Sequence, residues 1–294
     1  MLNGTLSSIC VICLMLLITV SGNNVRGSSH RKRKAREDIF DWHSANATVS
    51  LSALAYCGNA TIMSGSYNGS ITVDDFSPVS IIYNKYYDVN GFIGISNINR
   101  AIYVIFRGSM TITNWLDDFE TLMTSYPFCT ACSVHAGFYY SAQSVKDDVV
   151  YSVQSLHKTY PSYDVIVAGH SLGAALATLT AVNLINNDIS NIRHFSYGSP
   201  RLGNAAAAAY ISNLLPEIVR TTHYKDIVPH NPFTHFGYVH VSGEWYETEK
   251  GELGTCMGFE DVHCADQWTF EENIADHMKY LGRNMWCTIG HTNS

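Results

Sequence analysis

The middle of the chain alternates between short apolar runs and amphipathic segments. Residues 101–106 are apolar throughout, which is typical of a strand buried on both faces of its sheet. From Phe138 to Leu156 the apolar residues recur every three or four positions, which predicts one amphipathic helix. Strands that alternate with helices predict parallel pairing, with helices on both faces of the sheet. The predicted strands span residues 81–83, 91–95, 101–106, 163–168, 192–197 and 217–223, and the predicted helices span 41–56, 138–156, 172–185 and 204–214.

The N-terminus carries the longest apolar run of the chain, from Ile9 to Val20. Small residues follow at Val20-Ser21-Gly22, so we interpret residues 1–22 as a signal peptide that is cleaved after Gly22. The segment before the run lacks Lys and Arg, which departs from the usual pattern. An uncleaved anchor is the alternative, but the run is shorter than the roughly 18 residues that a membrane span needs.

Residues 23–36 form a polar segment that ends in the basic run Arg31 to Arg36. Such a run can be a nuclear address, a nucleic-acid patch or a solvated surface. After a signal peptide we interpret it as a propeptide, because Arg33-Lys34-Ala35-Arg36 has the Arg-x-x-Arg form of secretory convertase sites. Since no linker interrupts residues 41–287, a single domain is predicted over residues 37–294.

Removal of residues 1–36 would leave a strongly acidic protein. These residues hold six of the 18 basic residues and none of the 25 acidic ones, so their loss takes the formal net charge from −7 to −13. An acidic surface of this kind argues against nucleic acid as a partner, and it would be repelled by anionic lipid.

The cysteines agree with export to an oxidising compartment, and we therefore expect a secreted, extracellular protein. Two of the eight lie in the predicted leader, and the other six allow three disulfides in 15 connectivities. Glycosylation sequons begin at Asn46, Asn59 and Asn68. Cys129-x-x-Cys132 also has the form of a redox motif, but no βαβ pattern surrounds it, which favours a local disulfide.

The segment Gly169-His170-Ser171-Leu172-Gly173 has the Gly-x-Ser-x-Gly form of a nucleophile elbow. It lies between a predicted strand and a predicted helix, where the chain must reverse within a few residues and side chains larger than hydrogen would collide. This placement exposes the Ser171 hydroxyl at the strand's carboxyl end, beside a helix N-terminus that favours developing negative charge. His170 is expected to point away from the nucleophile and to be structural.

Five motifs together resemble the fungal-type triacylglycerol lipases, the class 3 lipase family of the α/β-hydrolase superfamily. The resemblance implies an α/β fold with a mostly parallel central sheet, helices on both faces and a short lid helix. It runs from about residue 41 to the end. The motifs are Phe-Arg-Gly-Ser at 106–109, Ala-Gly-His-Ser-Leu-Gly-Ala-Ala at 168–175, Tyr-Gly-Ser-Pro-Arg-Leu-Gly-Asn at 197–204, Asp-Ile-Val-Pro at 226–229 and Asp-His-x-x-Tyr-x-Gly at 276–282.

A catalytic serine needs a base, and the base needs a carboxylate that orients it. In this superfamily the order along the chain is Ser, acid, His. Of the carboxylates after Ser171, which include Asp188, Asp261 and Asp276, Asp226 lies in a turn after a predicted strand and matches the family's acid. Among eight histidines after Ser171, His277 matches the family's base, and His263 is its main rival.

The oxyanion of an ester intermediate needs hydrogen-bond donors that are already in place. The backbone N–H of Leu172 is one candidate, and the resemblance implies Ser109 as the other. Arg107 is expected to hold the loop rather than to touch substrate.

The segment after Ser109 has apolar residues at helical spacing on one side and polar residues on the other. Such a helix commonly packs on a core. Its place beside Ser109 and its match to the family indicate a lid that opens on lipid. The apolar lid residues are Ile112, Trp115, Leu116 and Phe119.

The resemblance also implies a long-range disulfide, Cys57–Cys287, while proximity along the chain favours Cys129–Cys132 and Cys256–Cys264. No cofactor motif and no convincing metal spacing occurs, so we expect neither. The expected function is a lipase that cleaves acylglycerols and has transient contact with a membrane or lipid-droplet surface. The alternatives are a phospholipase, a feruloyl or other soluble-ester esterase, and a non-catalytic lipid-binding protein.

Overall fold

The computed structural model describes residues 41–67, 71–112, 121–268 and 273–288. The predicted signal peptide and propeptide, the sequon residue Asn68, and the lid residues Trp115, Leu116 and Phe119 lie outside the described residues. In the described part, no helix combines the length and the apolar character that a membrane crossing needs.

An eight-stranded sheet forms the centre of the described structure. The strands are β1 Ser77–Asn84, β2 Val89–Ser96, β3 Ala101–Phe106, β4 Met123–Ser125, β5 Ser133–His135, β6 Asp164–His170, β7 Ile192–Tyr197, β8 Ile218–His223, β9 Glu244–Glu247, β10 Leu253–Thr255, β11 Lys279–Tyr280 and β12 Arg283–Asn284. The order in this sheet is β1-β2-β3-β6-β7-β8-β9-β10. Pairing is parallel from β3 to β9 and antiparallel at both edges, where β1, β2 and β3 form a meander and β10 returns on β9. The central part is therefore the mostly parallel sheet that the sequence predicts.

Helices cover both faces of this sheet. The helices are α1 Trp42–Leu54, α2 Asn59–Met63, α3 Ala136–Gln143, α4 Lys146–Thr159, α5 Leu172–Ile185, α6 Ala205–Leu214 and α7 Ile274–His277. Alternate residues of β3 belong to two separate cores: Tyr103 and Ile105 pack with α1, and Ile102 and Val104 pack with α3 to α6. Because β3 is apolar at every position, it can serve both cores.

The single helix predicted over residues 138–156 is wrong, because the structure has two helices there. α3 ends at Gln143, and Val145 has φ −124° and ψ 2°, outside the helical region. The Ser144 hydroxyl donates to the Ser141 carbonyl, a local bond that competes with helix continuation. The apolar spacing continues across the break because Ala142, Val145 and Val149 all still face one core.

Three disulfides join the pairs that the sequence interpretation named. They are Cys57–Cys287, Cys129–Cys132 and Cys256–Cys264. The first spans 230 residues and ties the end of α1 to the segment after the β11–β12 hairpin. Covalent links over so long a loop restrict the unfolded chain more than local ones do.

Candidate active site

The segment around Ser171 forms a sharp strand-to-helix turn. β6 ends at His170 and α5 begins at Leu172, and Ser171 between them has φ 59° and ψ −131°. A Cβ at Gly169 would lie 2.3 Å from the Gly173 carbonyl oxygen, and a Cβ at Gly173 would lie 2.4 Å from the Phe106 carbonyl oxygen. Only glycine fits at these two positions, so the motif produces the elbow for the steric reason that the sequence indicates.

Asp226 and His277 form a buried pair next to this elbow. His277 Nδ1 lies 2.8 Å from Asp226 Oδ2 and 2.9 Å from Oδ1. The same carboxylate accepts the backbone N–H of Val228 at 2.8 Å and the hydroxyl of Tyr280. A carboxylate only accepts, so Nδ1 of His277 carries a proton, and in the neutral form of this ring the lone pair lies on Nε2. That tautomer is the one that a general base needs.

Tyr280 is a neutral donor in this arrangement. Burial, together with the charge of Asp226, raises the pKa of Tyr280 well above its usual value. The hydroxyl therefore keeps its proton and donates to Asp226 Oδ2, the same oxygen that lies 2.8 Å from His277 Nδ1. Sequence reasoning did not assign this residue, although it is the tyrosine of the Asp-His-x-x-Tyr motif that was used for recognition.

Ser171 and His277 are both fully buried, so the Ser171 hydroxyl is not exposed as the elbow motif predicts. Among the described residues, neither Ser171 Oγ nor His277 Nε2 has a hydrogen-bond partner. Catalytic hydrogen bonds are often open in a resting enzyme and tighten when substrate binds. The hydrogen bond between Asp226 and His277 is thus present in the structure, whereas no hydrogen bond joins Ser171 to His277.

The loop after β3 packs directly on Ser171. A Cβ at Gly108 would lie 2.8 Å from Ser171 Cβ, so the next residue, Ser109, is close to the elbow and is itself buried. Ser109 Oγ accepts the backbone N–H of Thr111 at 3.2 Å. Arg107 holds this loop as expected, because it donates to the Gly108 carbonyl at 3.0 Å and pairs with Asp88 at 2.7 Å.

The rival base and the rival acids do not reach this arrangement. His263 is exposed, and it lies in the Cys256–Cys264 loop, where its backbone N–H donates to Asp261. The Asp276 carboxylate accepts from the Asn273 amide instead of from the base. The predicted lid residue Ile112 is buried.

His170 has closer contact with His277 than the sequence interpretation expected. It is fully buried, its ring centroid lies 4.4 Å from that of His277, and its Nε2 lies 2.8 Å from the His277 carbonyl oxygen. Its Nδ1 lies 2.7 Å from the hydroxyl of Tyr56. These contacts join residues more than 100 positions apart, so no local pattern in the sequence indicates them.

Glu244, Cys256 and Cys264 bring a carboxylate and two sulfurs within 4.8 Å of one another. The two sulfurs are joined in a disulfide, and Glu244 pairs with the buried Arg220 at 2.9 Å. Metal ions need thiolate ligands from cysteine, so this group does not offer a metal site while the disulfide is intact.

Gly198 approaches Asp226 and His277 so closely that a methyl group there should displace both side chains. Its φ is +58°, and a Cβ would lie 2.8 Å from Asp226 Oδ2, 2.8 Å from Tyr280 Oη and 2.9 Å from His277 Cε1. We expect Gly198→Ala to lower kcat on a soluble ester by about 100-fold, because small displacements of catalytic groups have effects of this size.

Gly65→Ala is the matched control, because Gly65 has φ +68° and no atom within 4 Å of a Cβ. It carries the same backbone strain and should keep wild-type turnover. Equal turnover in the two variants would mean that the close approach at Gly198 has no catalytic consequence.

A comparison with protein families matches residues 103–236 to the family described as lipase (class 3). The chain is 34% identical over 246 residues to a lipase of Rhizomucor miehei, which covers 80% of this chain and 67% of that protein. It is also 34% identical over 207 residues to the secreted mono- and diacylglycerol lipase A of Penicillium camembertii, covering 70% of this chain and 66% of that protein. The chain thus spans about two thirds of the length of these curated relatives.

Solved structures agree with these relatives. The Rhizomucor miehei lipase in complex with its propeptide superposes with a TM-score of 0.77 at 31% identity, covering 82% of this chain and 80% of that chain. A structure described as a triacylglycerol lipase with a serine protease triad as its catalytic centre gives the same TM-score and identity, and covers 94% of that chain. The shared architecture is the α/β-hydrolase fold.

Proposed function

Because this chain belongs to the class 3 lipase family, we propose that it is a secreted serine carboxylic-ester hydrolase that cleaves acylglycerols. The observation that carries the proposal is the buried Asp226–His277 pair beside Ser171 on its strained elbow. Relatives described as lipase and as mono- and diacylglycerol lipase support the substrate class.

In the proposed reaction Ser171 is the nucleophile. Its Oγ attacks the ester carbonyl while His277 Nε2 takes the hydroxyl proton, and the imidazolium that forms is stabilised by Asp226. The negative charge on the carbonyl oxygen is held by the Leu172 N–H and by Ser109. His277 then returns the proton to the leaving alcohol, and the acyl group stays on Ser171 until a water molecule, activated by His277, releases the fatty acid. Every step uses groups of this chain and water.

We further propose that residues 112–119 form a lid over the acyl site and that the partner is a lipid surface. The complete burial of Ser171 supports a covered resting state, because an ester cannot reach a nucleophile that is closed to solvent. In water the apolar residues of this segment would be buried over the site, and at an interface they would contact acyl chains. The acidic protein should favour neutral or zwitterionic surfaces over anionic ones.

Export and processing are part of the proposal: cleavage after Gly22, and removal of residues 23–36. The three disulfides support an oxidising compartment. Among the proposed glycosylation sites, Asn46 is exposed on α1, whereas the side-chain oxygen of Asn59 is buried. We therefore expect Asn46 to carry a glycan more readily than Asn59.

The test of this function is the rate of hydrolysis against tributyrin concentration across its solubility limit. We expect the rate to rise sharply once droplets form, because a lipid surface stabilises the open lid. A Trp115→Ala variant should lose more activity on emulsions than on a dissolved short-chain ester. Trp42→Ala, which truncates a half-exposed tryptophan on α1, is the matched control and should leave the ratio unchanged.

A smooth hyperbola for the wild type would contradict interfacial activation and favour a soluble-ester esterase. Parallel assays with phospholipids and phenolic esters distinguish the phospholipase and feruloyl-esterase alternatives. The absence of turnover and of fluorophosphonate labelling together would indicate a non-catalytic lipid-binding protein.

A further inference from the structure

The last two carbonyls of the short helix that carries the proposed base each receive a buried imidazole donor. α7 is a helix of only four residues that ends at His277. His223 Nδ1 lies 2.8 Å from the Asp276 carbonyl oxygen, and His170 Nε2 lies 2.8 Å from the His277 carbonyl oxygen. The last carbonyls of a helix have no partner within it, and so short a helix has little stability of its own. The position of His277 therefore depends on groups outside α7.

The contacts of His170 define which of its nitrogens carries the proton. A carbonyl only accepts, so Nε2 donates to His277 and Nδ1 is an acceptor for the Tyr56 hydroxyl, 2.7 Å away. Burial lowers the pKa of His170 well below its usual value, with a smaller contribution from the nearby His277. Burial also raises the pKa of Tyr56, so its hydroxyl stays protonated and donates.

A neutral ring at this position matters for a proton transfer at His277. The two ring centroids are 4.4 Å apart, and a positive charge on His170 would oppose the imidazolium that His277 must become. The hydrogen bonds of His170 with Tyr56 and with the His277 carbonyl both fit a neutral ring, and full burial disfavours a charged one.

Tyr56 extends these contacts to the loop that precedes Ser109. A Cβ at Gly108 would lie 2.3 Å from the Tyr56 hydroxyl oxygen, so the hydroxyl lies directly against Gly108. The next residue, Cys57, is joined to Cys287, ten positions after His277. A continuous line of contacts thus runs from the Gly108–Ser109 loop through Tyr56 and His170 to the backbone of His277.

We propose that His170, oriented by Tyr56, is a positioning residue for the base. It holds the His277 backbone through its Nε2–H and supports the ring as a neutral neighbour, so that Nε2 of His277 points at Ser171 Oγ. The proposal rests on the proposed function, in which His277 is the base, and it replaces the expectation that His170 is only structural.

The test compares His170→Phe, which keeps a ring but removes the donor, with His170→Gln, whose amide N–H can reach the same carbonyl. On a dissolved short-chain ester we expect kcat to fall about 100-fold for the phenylalanine variant with little change in KM, since only transition-state alignment is lost. The glutamine variant should recover most of this loss.

The control is His194→Phe, because His194 is equally buried and bonds Thr178, away from the base. It should keep wild-type kcat in the folded protein. Wild-type kcat in His170→Phe, or equal losses in the phenylalanine and glutamine variants, would overturn the proposal. If His170→Phe does not fold, Tyr56→Phe tests the proposal instead. We expect it to lower kcat about tenfold, which corresponds to the loss of one hydrogen bond. An unchanged kcat in this variant would overturn the proposal.

A second readout does not depend on turnover. The Nδ1 proton of His277, bonded to Asp226, should give a far-downfield proton resonance in wild type and in His194→Phe, and it should broaden by exchange in His170→Phe. If the wild type hydrolyses no ester, the proposed function fails, and this resonance still decides the positioning role. An unchanged resonance in His170→Phe would contradict it.

Discussion

Ser171→Ala is expected to fold normally and to lose ester hydrolysis by about 10⁶-fold, the size of effect seen when a member of a serine triad is removed. The hydroxyl is the proposed nucleophile, and the remaining groups cannot form an acyl-enzyme without it. Stability should not fall, because Ser171 Oγ has no hydrogen-bond partner among the described residues, so its removal leaves no polar group unpaired.

The measurements are turnover of a dissolved p-nitrophenyl ester and the midpoint of thermal unfolding. Ser52→Ala is the matched control, since Ser52 on α1 is also fully buried with an unpartnered hydroxyl in the described structure. It should keep wild-type turnover. A Ser171→Ala protein that turns over the ester at the wild-type rate would remove the serine from the mechanism.

His277→Ala should be nearly as severe, with a loss of about 10⁶-fold, because the serine hydroxyl is a poor nucleophile without its base. The structure distinguishes this residue from its rival by the 2.8 Å contact between His277 Nδ1 and Asp226. Truncation also leaves the buried Asp226 carboxylate with two donors instead of three, so we expect a lower unfolding midpoint as well.

His263→Ala is the control for this substitution. His263 is exposed in the Cys256–Cys264 loop, so its truncation should change neither turnover nor stability. The comparison is made at the same concentration of folded protein, with a dissolved ester. Activity that survives His277→Ala and disappears in His263→Ala would show that the base has been assigned wrongly.

Strong apolar runs explain why much of the fold follows from the sequence. The bounds 101–106, 172–185 and 192–197 coincide with β3, α5 and β7, and the first two of these segments are apolar over nearly their whole length. β9 was not predicted. Its residues Glu244 and Glu247 are both buried, because Glu244 pairs with Arg220 and Glu247 accepts the Leu281 N–H. A prediction from apolar positions expects glutamates to be exposed, so it misses this strand.

In the candidate site, too, some residues could be predicted from the sequence and others could not. Ser171 lies in a local motif whose glycines have a steric cause, and motif order indicates Asp226 and His277. The supporting contacts depend on tertiary packing: Tyr56 meets His170 across 114 positions, and His170 meets the His277 carbonyl across 107. Spacing along the chain carries no information about such pairs.

The most direct test of the central claim is peptide mapping by mass spectrometry after reaction with an alkyl fluorophosphonate. We expect one adduct per molecule, on Ser171 in the peptide that contains Gly169 to Gly173, and none in Ser171→Ala. An adduct on any other residue, or an unlabelled wild-type protein that still hydrolyses esters, would contradict the assignment of Ser171 as the nucleophile.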